Sequence, residues 1–159
     1  MRQCKTRAQR EAVRIRTYEP EDFFTVSRLF CETVHSVNRK DYSEEQCKAW
    51  TDKSDGLRAC RNRLRDQHTL IAEIGGEAVG FGSMDASGCL DLLYVAESFL
   101  RRGAASALCD ALEENVPHPK TYASITAKPF FESRGYRVLA EREVDCGGIL
   151  LKNFEMQKP

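Results

Sequence analysis

The amino-acid sequence predicts an α+β fold, in which a mixed sheet is flanked by helices. Two glycine pairs, Gly75-Gly76 and Gly147-Gly148, each separate two strand-like segments and therefore indicate antiparallel hairpins. A nearly continuous apolar run over residues 88–95 is typical of a central strand that is buried on both faces. Helical and strand-like segments do not alternate regularly, which argues against a doubly wound fold.

Each predicted element has a local signal of its own. Pro20 suits the first turn of a helix whose apolar stripe ends at Val34. Ser43 followed by Gln46 resembles a capping box, so a second helix should begin there. Pro117 and Pro119 end the fourth helix. The predicted strands are residues 13–18, 69–74, 78–84, 88–95, 121–125, 138–144 and 149–156, and the predicted helices are residues 20–34, 43–50, 57–64, 103–114 and 127–133.

Length and composition restrict the class of protein. A chain of 159 residues suits one compact domain, which we expect over residues 13–159 behind a flexible extension at residues 1–12. Twenty-four basic and 24 acidic residues give a formal net charge of zero, so no global field favours nucleic acid or an anionic membrane. No apolar run approaches the roughly 20 residues of a membrane span, and we expect a cytoplasmic location. Seven cysteines without a C-x-x-C pair predict reduced thiols and no metal site.

The strongest chemical signal is a strand followed by a glycine-containing turn that opens a helix, over residues 92–106. The first N–H groups of a helix lack internal partners and carry about half a positive charge, so residues 102–106 can form a cradle for a pyrophosphate. Gly103 removes a side chain where backbone and phosphate approach, and Arg101 and Arg102 can add charge-assisted hydrogen bonds. The alternative is a plain helix cap with soluble arginines.

Two motifs in this order resemble the GNAT superfamily of acyl-CoA-dependent N-acetyltransferases. The stretch LRRGAA at residues 100–105 is similar to the Q/R-x-x-G-x-G/A motif of that superfamily, with Leu100 where Gln or Arg is usual. The stretch SITAKPFFESRGY at residues 124–136 is similar to its N-x-x-A-x-x-F-Y-x-x-x-G-F motif. Residues 33–50 and the ending KNFEMQK look like the YafP-like branch. The resemblance covers roughly residues 13–157.

The resemblance implies a GNAT-like, mostly antiparallel sheet of six to seven strands with about four to five helices, and acetyl-CoA as cosubstrate. The strand that includes Leu90 should splay from its neighbour and hold the pantetheine arm, as an open sheet edge holds a peptide. The implied coenzyme contacts are Leu93, Tyr94 and Val95 on the strand, Leu100, Arg101, Arg102, Gly103, Ala104, Ala105 and Ser106 at the turn, and Ser124, Phe130 and Phe131 in the second motif.

Aminolysis of a thioester needs a proton acceptor for the amine and a way for the thiolate to leave. Asp91 is the only carboxylate inside the apolar strand, so it is a candidate base; the alternative is a strand-end carboxylate paired with an arginine. His35 titrates in the useful range and is a second candidate, although a lone histidine is more often structural. Phe131 stands where the superfamily often has a tyrosine acid, so Tyr94 or Tyr136 would have to replace it.

The acceptor side should lie between the first two helices. His35, Asp41, Tyr42 and Trp50 fall in that segment, where an aromatic wall and a carboxylate suit a cationic amine. Tyr42 and Trp50 are alternatively plugs of the core.

We therefore expect an enzyme that transfers an acetyl group from acetyl-CoA to a primary amine of a small molecule or peptide, by direct attack in a ternary complex. It should act as a monomer or homodimer without nucleic acid, membrane or metal. The alternative is a non-catalytic acyl-CoA-binding or regulatory module of the same fold. An unrelated interaction domain would require the turn at residues 101–106 to be only a helix cap.

Overall fold

A computed structural model describes residues 12–53 and 57–159. The extension predicted at residues 1–12 lies outside the described residues apart from Ala12, so the proposed division of the chain stays a prediction. The strands are β1 Arg14–Thr17, β2 His68–Ile74, β3 Glu77–Met84, β4 Cys89–Val95, β5 Lys120–Ser124, β6 Arg137–Cys146 and β7 Ile149–Gln157. The helices are α1 Phe23–Ser36, α2 Glu44–Lys53, α3 Arg61–Asp66, α4 Ala104–Glu113 and α5 Lys128–Ser133.

The seven strands form one sheet in the order β1-β2-β3-β4-β5-β7-β6. All neighbours run antiparallel except β4 and β5, which run parallel. This arrangement confirms the predicted α+β class, the mostly antiparallel sheet and both hairpins.

Local signals placed most elements within a few residues. The capping box is present, since the Gln46 backbone N–H donates to Ser43 Oγ at 3.0 Å and the Ser43 N–H donates to Gln46 Oε1 at 2.9 Å. The predicted third helix is instead a 3-10 turn, Arg58–Cys60, followed by α3. Leu57 before it has a φ of 72°, a left-handed backbone that prevents one continuous helix over residues 57–64.

Two hydrophobic cores lie on opposite faces of the sheet. On one face α1, α2 and α3 cover Phe30, Leu64, Ile71 and Phe81. On the other face α4 and α5 cover a second core that includes Leu108 and Phe131. The six described cysteines are free thiols, four of them buried, as predicted for reduced apolar side chains. Within the described residues, no helix is long and apolar enough to cross a membrane.

One prediction about β4 was wrong in an informative way. The apolar run suggested burial on both faces, but the four consecutive residues from Asp91 to Tyr94 are only partly buried. Asp91, Leu93 and Tyr94 line a cleft instead, which is described in the next section.

Candidate active site

The site begins where two neighbouring strands separate. β4 pairs with β5 only at Cys89 with Lys120 and at Leu90 with Thr121. Directly after this, Asp91 is the extra residue of a β-bulge, because Leu90 faces Met84 and Leu92 faces Ser83 on β3. The bulge bends β4 away from β5 and opens a cleft of about 650 Å³ between them. The splayed strand predicted at Leu90 is therefore present.

One end of the cleft is the predicted anion turn. Arg101 and Gly103 have φ values of 60° and 89°, and α4 begins at Ala104 without a side-chain cap, which leaves the first N–H groups available. A Cβ built on Gly103 would meet nothing within 4 Å, so the backbone there faces open space. An uncapped helix start beside open space fits the pyrophosphate of a coenzyme.

The turn's side chains divide between the cleft and the surface. Leu100, Arg101, Gly103, Ala104, Ala105 and Ser106 line the cleft. Arg102 does not line it, and its guanidinium carbon lies 5.0 Å from the centroid of the Phe99 ring. Of the two arginines of the turn, Arg101 is therefore the one at the cleft, whereas the sequence suggested both.

The β4 residues that line the cleft are Leu90, Asp91, Leu93, Tyr94 and Val95, which include the three strand residues predicted to contact the coenzyme. Tyr94 stacks on Phe81 with ring centroids 5.6 Å apart and meets Phe30 edge-on at 5.0 Å. Burial, and to a smaller extent the negative charge of Asp91, raise the pKa of the Tyr94 phenol well above its usual range. A hydrogen bond with Trp50 lowers this pKa but does not offset the rise. A phenol in this environment holds its proton firmly at neutral pH.

The second motif supplies the opposite wall. Ser124, Phe130 and Phe131 all line the cleft. Ser124 Oγ accepts a hydrogen bond from the Ala127 backbone N–H at 3.0 Å and lies 3.4 Å from Asn38 Nδ2. Its hydroxyl therefore orders the loop before α5.

Phe131 is a packing residue at the base of the cleft. It is 2% exposed, and its ring centroid lies 5.2 Å from that of Phe130 and 5.0 Å from that of Tyr136. Tyr136 is directed away from the cleft, since its hydroxyl donates to Glu113 Oε1 at 2.7 Å. Of the two tyrosines considered as a replacement acid, only Tyr94 lies at the cleft.

Asp91 is the only carboxylate on the cleft wall among the described residues. It is part-exposed, with 26% of its side chain accessible, and it is hydrogen-bonded and ion-paired to Arg63 of α3. That hydrogen bond raises the pKa of the Arg63 guanidinium. Asp91 is therefore a part-exposed carboxylate paired with an arginine, which is the alternative that the sequence left open.

Three of the four residues predicted for the acceptor side do not line the cleft. His35 is exposed, and its Nε2 lies 3.0 Å from Thr51 Oγ1 of α2. Asp41 is exposed at the surface. The Tyr42 hydroxyl donates to the Lys152 carbonyl at 2.5 Å and accepts from the Ile125 N–H at 2.9 Å, so Tyr42 is a structural link. Trp50 does line the cleft, and it meets Tyr42 edge-on at 5.4 Å.

Sequence reasoning missed several residues of the wall. Thr33 lies in the last turn of α1, and Asn38 and Lys40 lie in the 3-10 turn just after it. Tyr122 lies on β5. Tyr122 lies one residue beyond the last β4–β5 pair, so its side chain borders the opening. Strand alternation could have predicted that the Tyr122 side chain is exposed on the face opposite to its buried neighbours Thr121 and Ala123.

A parallel strand pair that splays into a cleft, with an uncapped helix start at one end, defines a class of proteins that bind an acyl-CoA between two strands. The chain belongs to the GNAT acetyltransferase family, since the family model described as an acetyltransferase (GNAT) domain matches residues 38–158. The expectation of a GNAT-type acyltransferase is thereby confirmed.

Individual relatives agree with this assignment. The chain is 33% identical over 145 residues to the uncharacterized N-acetyltransferase YafP of Escherichia coli K12, covering 91% of this chain and 95% of YafP. A GCN5-related N-acetyltransferase structure from Rhodopseudomonas palustris shares 34% identity at a TM-score of 0.87, covering 91% of this chain and 94% of that one. The PaiA N-acetyltransferase of Thermoplasma acidophilum, solved with coenzyme A, shares the fold at a TM-score of 0.70 and 20% identity over 92% and 98% of the two chains.

Proposed function

We propose that this protein transfers an acetyl group from acetyl-CoA to a primary amine of a small molecule or peptide. The observation that carries the proposal is the continuity of the cleft. The same cavity joins the uncapped start of α4 to the unpaired part of β4 and then to the polar residues at the end of α1. A bound acetyl-CoA has a site for its phosphates, its amide-bearing arm and its thioester in that order.

Direct attack in a ternary complex suits the residues of the cleft. None of the described lining residues is a cysteine, and Ser124 Oγ already interacts with Ala127 and Asn38. The acceptor nitrogen would attack the thioester carbonyl carbon, forming the C–N bond as the C–S bond breaks. The amine's proton would pass to Asp91 or water, and the thiolate would take up a proton from solvent. A free thiol has a pKa of about 8.5, so the thiolate leaves at modest cost.

Asp91 is the proposed proton acceptor because it is the carboxylate that the cleft exposes. Its pairing with Arg63 supports a second possibility, in which the pair only holds β4 to α3. Tyr94 is a weak candidate for an acid, because its raised pKa opposes proton donation. The missing tyrosine at position 131 is what favours the second candidate function, an acyl-CoA-binding module without turnover.

The deciding experiment measures acetyl-CoA consumption and thiol release against a panel of amines, with acetylated product identified by mass. Transfer to at least one amine supports the enzyme, whereas coenzyme binding without transfer to any of them supports the binding module. Incubation with acetyl-CoA alone, followed by intact-protein mass spectrometry, tests the route. An acetyl-protein that forms and is then consumed on adding the amine would overturn direct attack.

A further inference from the structure

One part of the cleft is lined by residues of the segment that runs from the end of α1 to α2. Lys40 and Trp50 line it on the helical side, and Tyr122 lines it on the strand side with 42% of the residue exposed. Glu155 on β7 is the register partner of Tyr122 on β5. Arg142 on the neighbouring strand β6 pairs with Asn153 of β7. Lys40, Trp50 and Tyr122 do not belong to the turn that suits the coenzyme's phosphates, so we assign the acceptor to this part of the cleft, called the acceptor opening below.

The charges around this opening do not cancel. Asp91 is paired with Arg63, and Glu155 is paired with Lys120 at 2.8 Å between Oε1 and Nζ. Lys40 and Arg142 remain, and neither forms an ion pair with a carboxylate anywhere in residues 12–53 or 57–159. Lys40 lines the cleft and Arg142 lies over the ring of the lining residue Tyr122, so two cations without a carboxylate partner among the described residues border this opening.

Arg142 is also directed toward the cleft wall. Its guanidinium carbon lies 4.6 Å from the centroid of the Tyr122 ring, and Lys120 Nζ lies 5.1 Å from the same centroid. A cation–π contact orders the guanidinium without neutralising it, so its N–H donors stay available to an anion.

We infer that the acceptor is an amine that also carries an anionic group, a carboxylate or phosphate, bound by Arg142 and Lys40 against the Tyr122 ring. This inference rests on the proposed function and narrows its substrate class. It reverses the expectation of a purely cationic acceptor, because Asp41, the carboxylate invoked for it, does not line the cleft. A second ammonium on the acceptor would face unpaired cations, whereas an anion gains charge-assisted hydrogen bonds.

The test uses amines paired so that only the anion differs. The pairs are β-alanine with its amide, 4-aminobutyrate with its amide, L-leucine with its amide, and phosphoethanolamine with ethanolamine. We expect the anionic member of at least one pair to have a kcat/KM at least tenfold above its partner, and the pair that shows this distinguishes carboxylate from phosphate. If the amine without the anion is turned over as well as or better than the anionic amine in every pair, the inference is overturned and the proposed function stays intact.

Two variants locate the anion site. Arg142→Gln and Lys40→Gln should each lower kcat/KM for the anionic amine about tenfold, as expected for a lost hydrogen bond between charged groups. The kcat/KM for the paired amine that lacks the anion should stay nearly unchanged. Arg14→Gln is the matched control, because Arg14 is an exposed arginine on β1, at the opposite edge of the sheet. If all three variants behave alike, Arg142 and Lys40 do not bind the acceptor.

A binding measurement separates the inference from catalysis. Calorimetric titration of the CoA-loaded protein compares N-acetyl-β-alanine with its amide, and O-phospho-N-acetylethanolamine with N-acetylethanolamine. Tighter binding of an anionic product by about tenfold, lost in Arg142→Gln, supports the inference even if no amine is acetylated. Equal binding of the charged and uncharged products overturns it, whatever the turnover.

Discussion

Two strand pairs of the same sheet differ in how completely they pair. The β6–β7 hairpin pairs from Arg137 with Gln157 to Cys146 with Ile149, whereas β4 and β5 pair at two positions and then separate. Backbone N–H and C=O groups need partners, so a separated pair leaves groups for water or a ligand. The separation of β4 and β5 leaves such groups inside the sheet, and the candidate active site lies there.

Two glycines give the same contrast at single-residue scale. Gly103 and Gly148 both have a φ of 89°, and a Cβ on either would meet nothing within 4 Å. The Gly148 N–H, in the β6–β7 turn, donates to Asp145 Oδ1 at 2.6 Å. Gly103 instead precedes uncapped N–H groups of α4. The same φ value therefore occurs in a closed turn in one region and beside an uncapped helix start in the other.

The largest expected effect comes from emptying the base of the cleft. Phe131→Ala removes a 2% exposed ring, and we expect it to lower the free energy of unfolding by about 3 kcal/mol. Leu150→Ala on β7, where the side chain is 51% exposed, should cost much less. Urea unfolding of both variants measures the difference.

Phe131→Tyr should fold and keep or raise turnover. A marked loss of turnover with intact coenzyme affinity would mean that position 131 does not face the leaving sulfur.

The ion pair at the β-bulge gives the next largest effect. Asp91→Asn should lower kcat about 100-fold, roughly 2.7 kcal/mol, with CoA affinity nearly unchanged, if the carboxylate accepts the amine's proton. Arg63→Gln is the discriminating partner, since it keeps the carboxylate and removes the cation that stabilises its charge. Retained turnover in Arg63→Gln supports a base. Equal losses of turnover and thermal stability in both variants would assign the pair to holding α3 against β4.

A smaller effect tests the two glycines directly. Gly103→Glu should weaken CoA binding at least tenfold, about 1.4 kcal/mol, because it adds bulk and negative charge beside the helix start. Gly148→Glu imposes the same backbone strain in the hairpin turn and should leave CoA affinity unchanged. Calorimetric titration with CoA measures both. Similar affinities for the two variants would remove the anion-turn hypothesis.

The smallest expected effect is a loss of stability at low pH, caused by protonation of Glu113 away from the cleft. Burial alone would raise the pKa of Glu113 on α4, but hydrogen bonds from Arg134, Tyr136 and Lys158 hold it below its usual value of 4.5. A lowered carboxyl pKa adds stability that is present above pH 4.5 and is lost as pH falls through the folded-state value.

Urea unfolding between pH 7 and pH 3.5 tests this linkage. Glu113→Gln should be less stable than the parent protein at neutral pH, and the difference should shrink as the solution is acidified. Glu114→Gln, at the exposed neighbouring position, is the control and should follow the parent curve. A gap that stays constant with pH would mean that the network contributes no proton linkage.

Much of the fold was predictable because its signals are short-range. The Ser43 and Gln46 capping box lies within one helical turn, and the turn at Gly75 and Gly76 connects adjacent strands. The turn end of the cleft was also predictable, since the strand, the turn at Gly103 and the start of α4 are contiguous in the chain. The remaining wall was not, because it joins residues from α1, α2, β4 and β5.

By itself, the sequence determined the element order, the position of the uncapped helix start and the family motifs, because each depends on residues a few positions apart. Only the tertiary structure decided the partners of side chains. Asp91 meets Arg63 from 28 positions away, His35 meets Thr51 instead of the cleft, and Arg142 reaches Tyr122 across two strand pairings. The first of these contacts depends on the β-bulge at Asp91, the second on how α1 packs against α2, and the third on strand register, and no local sequence pattern encodes any of them.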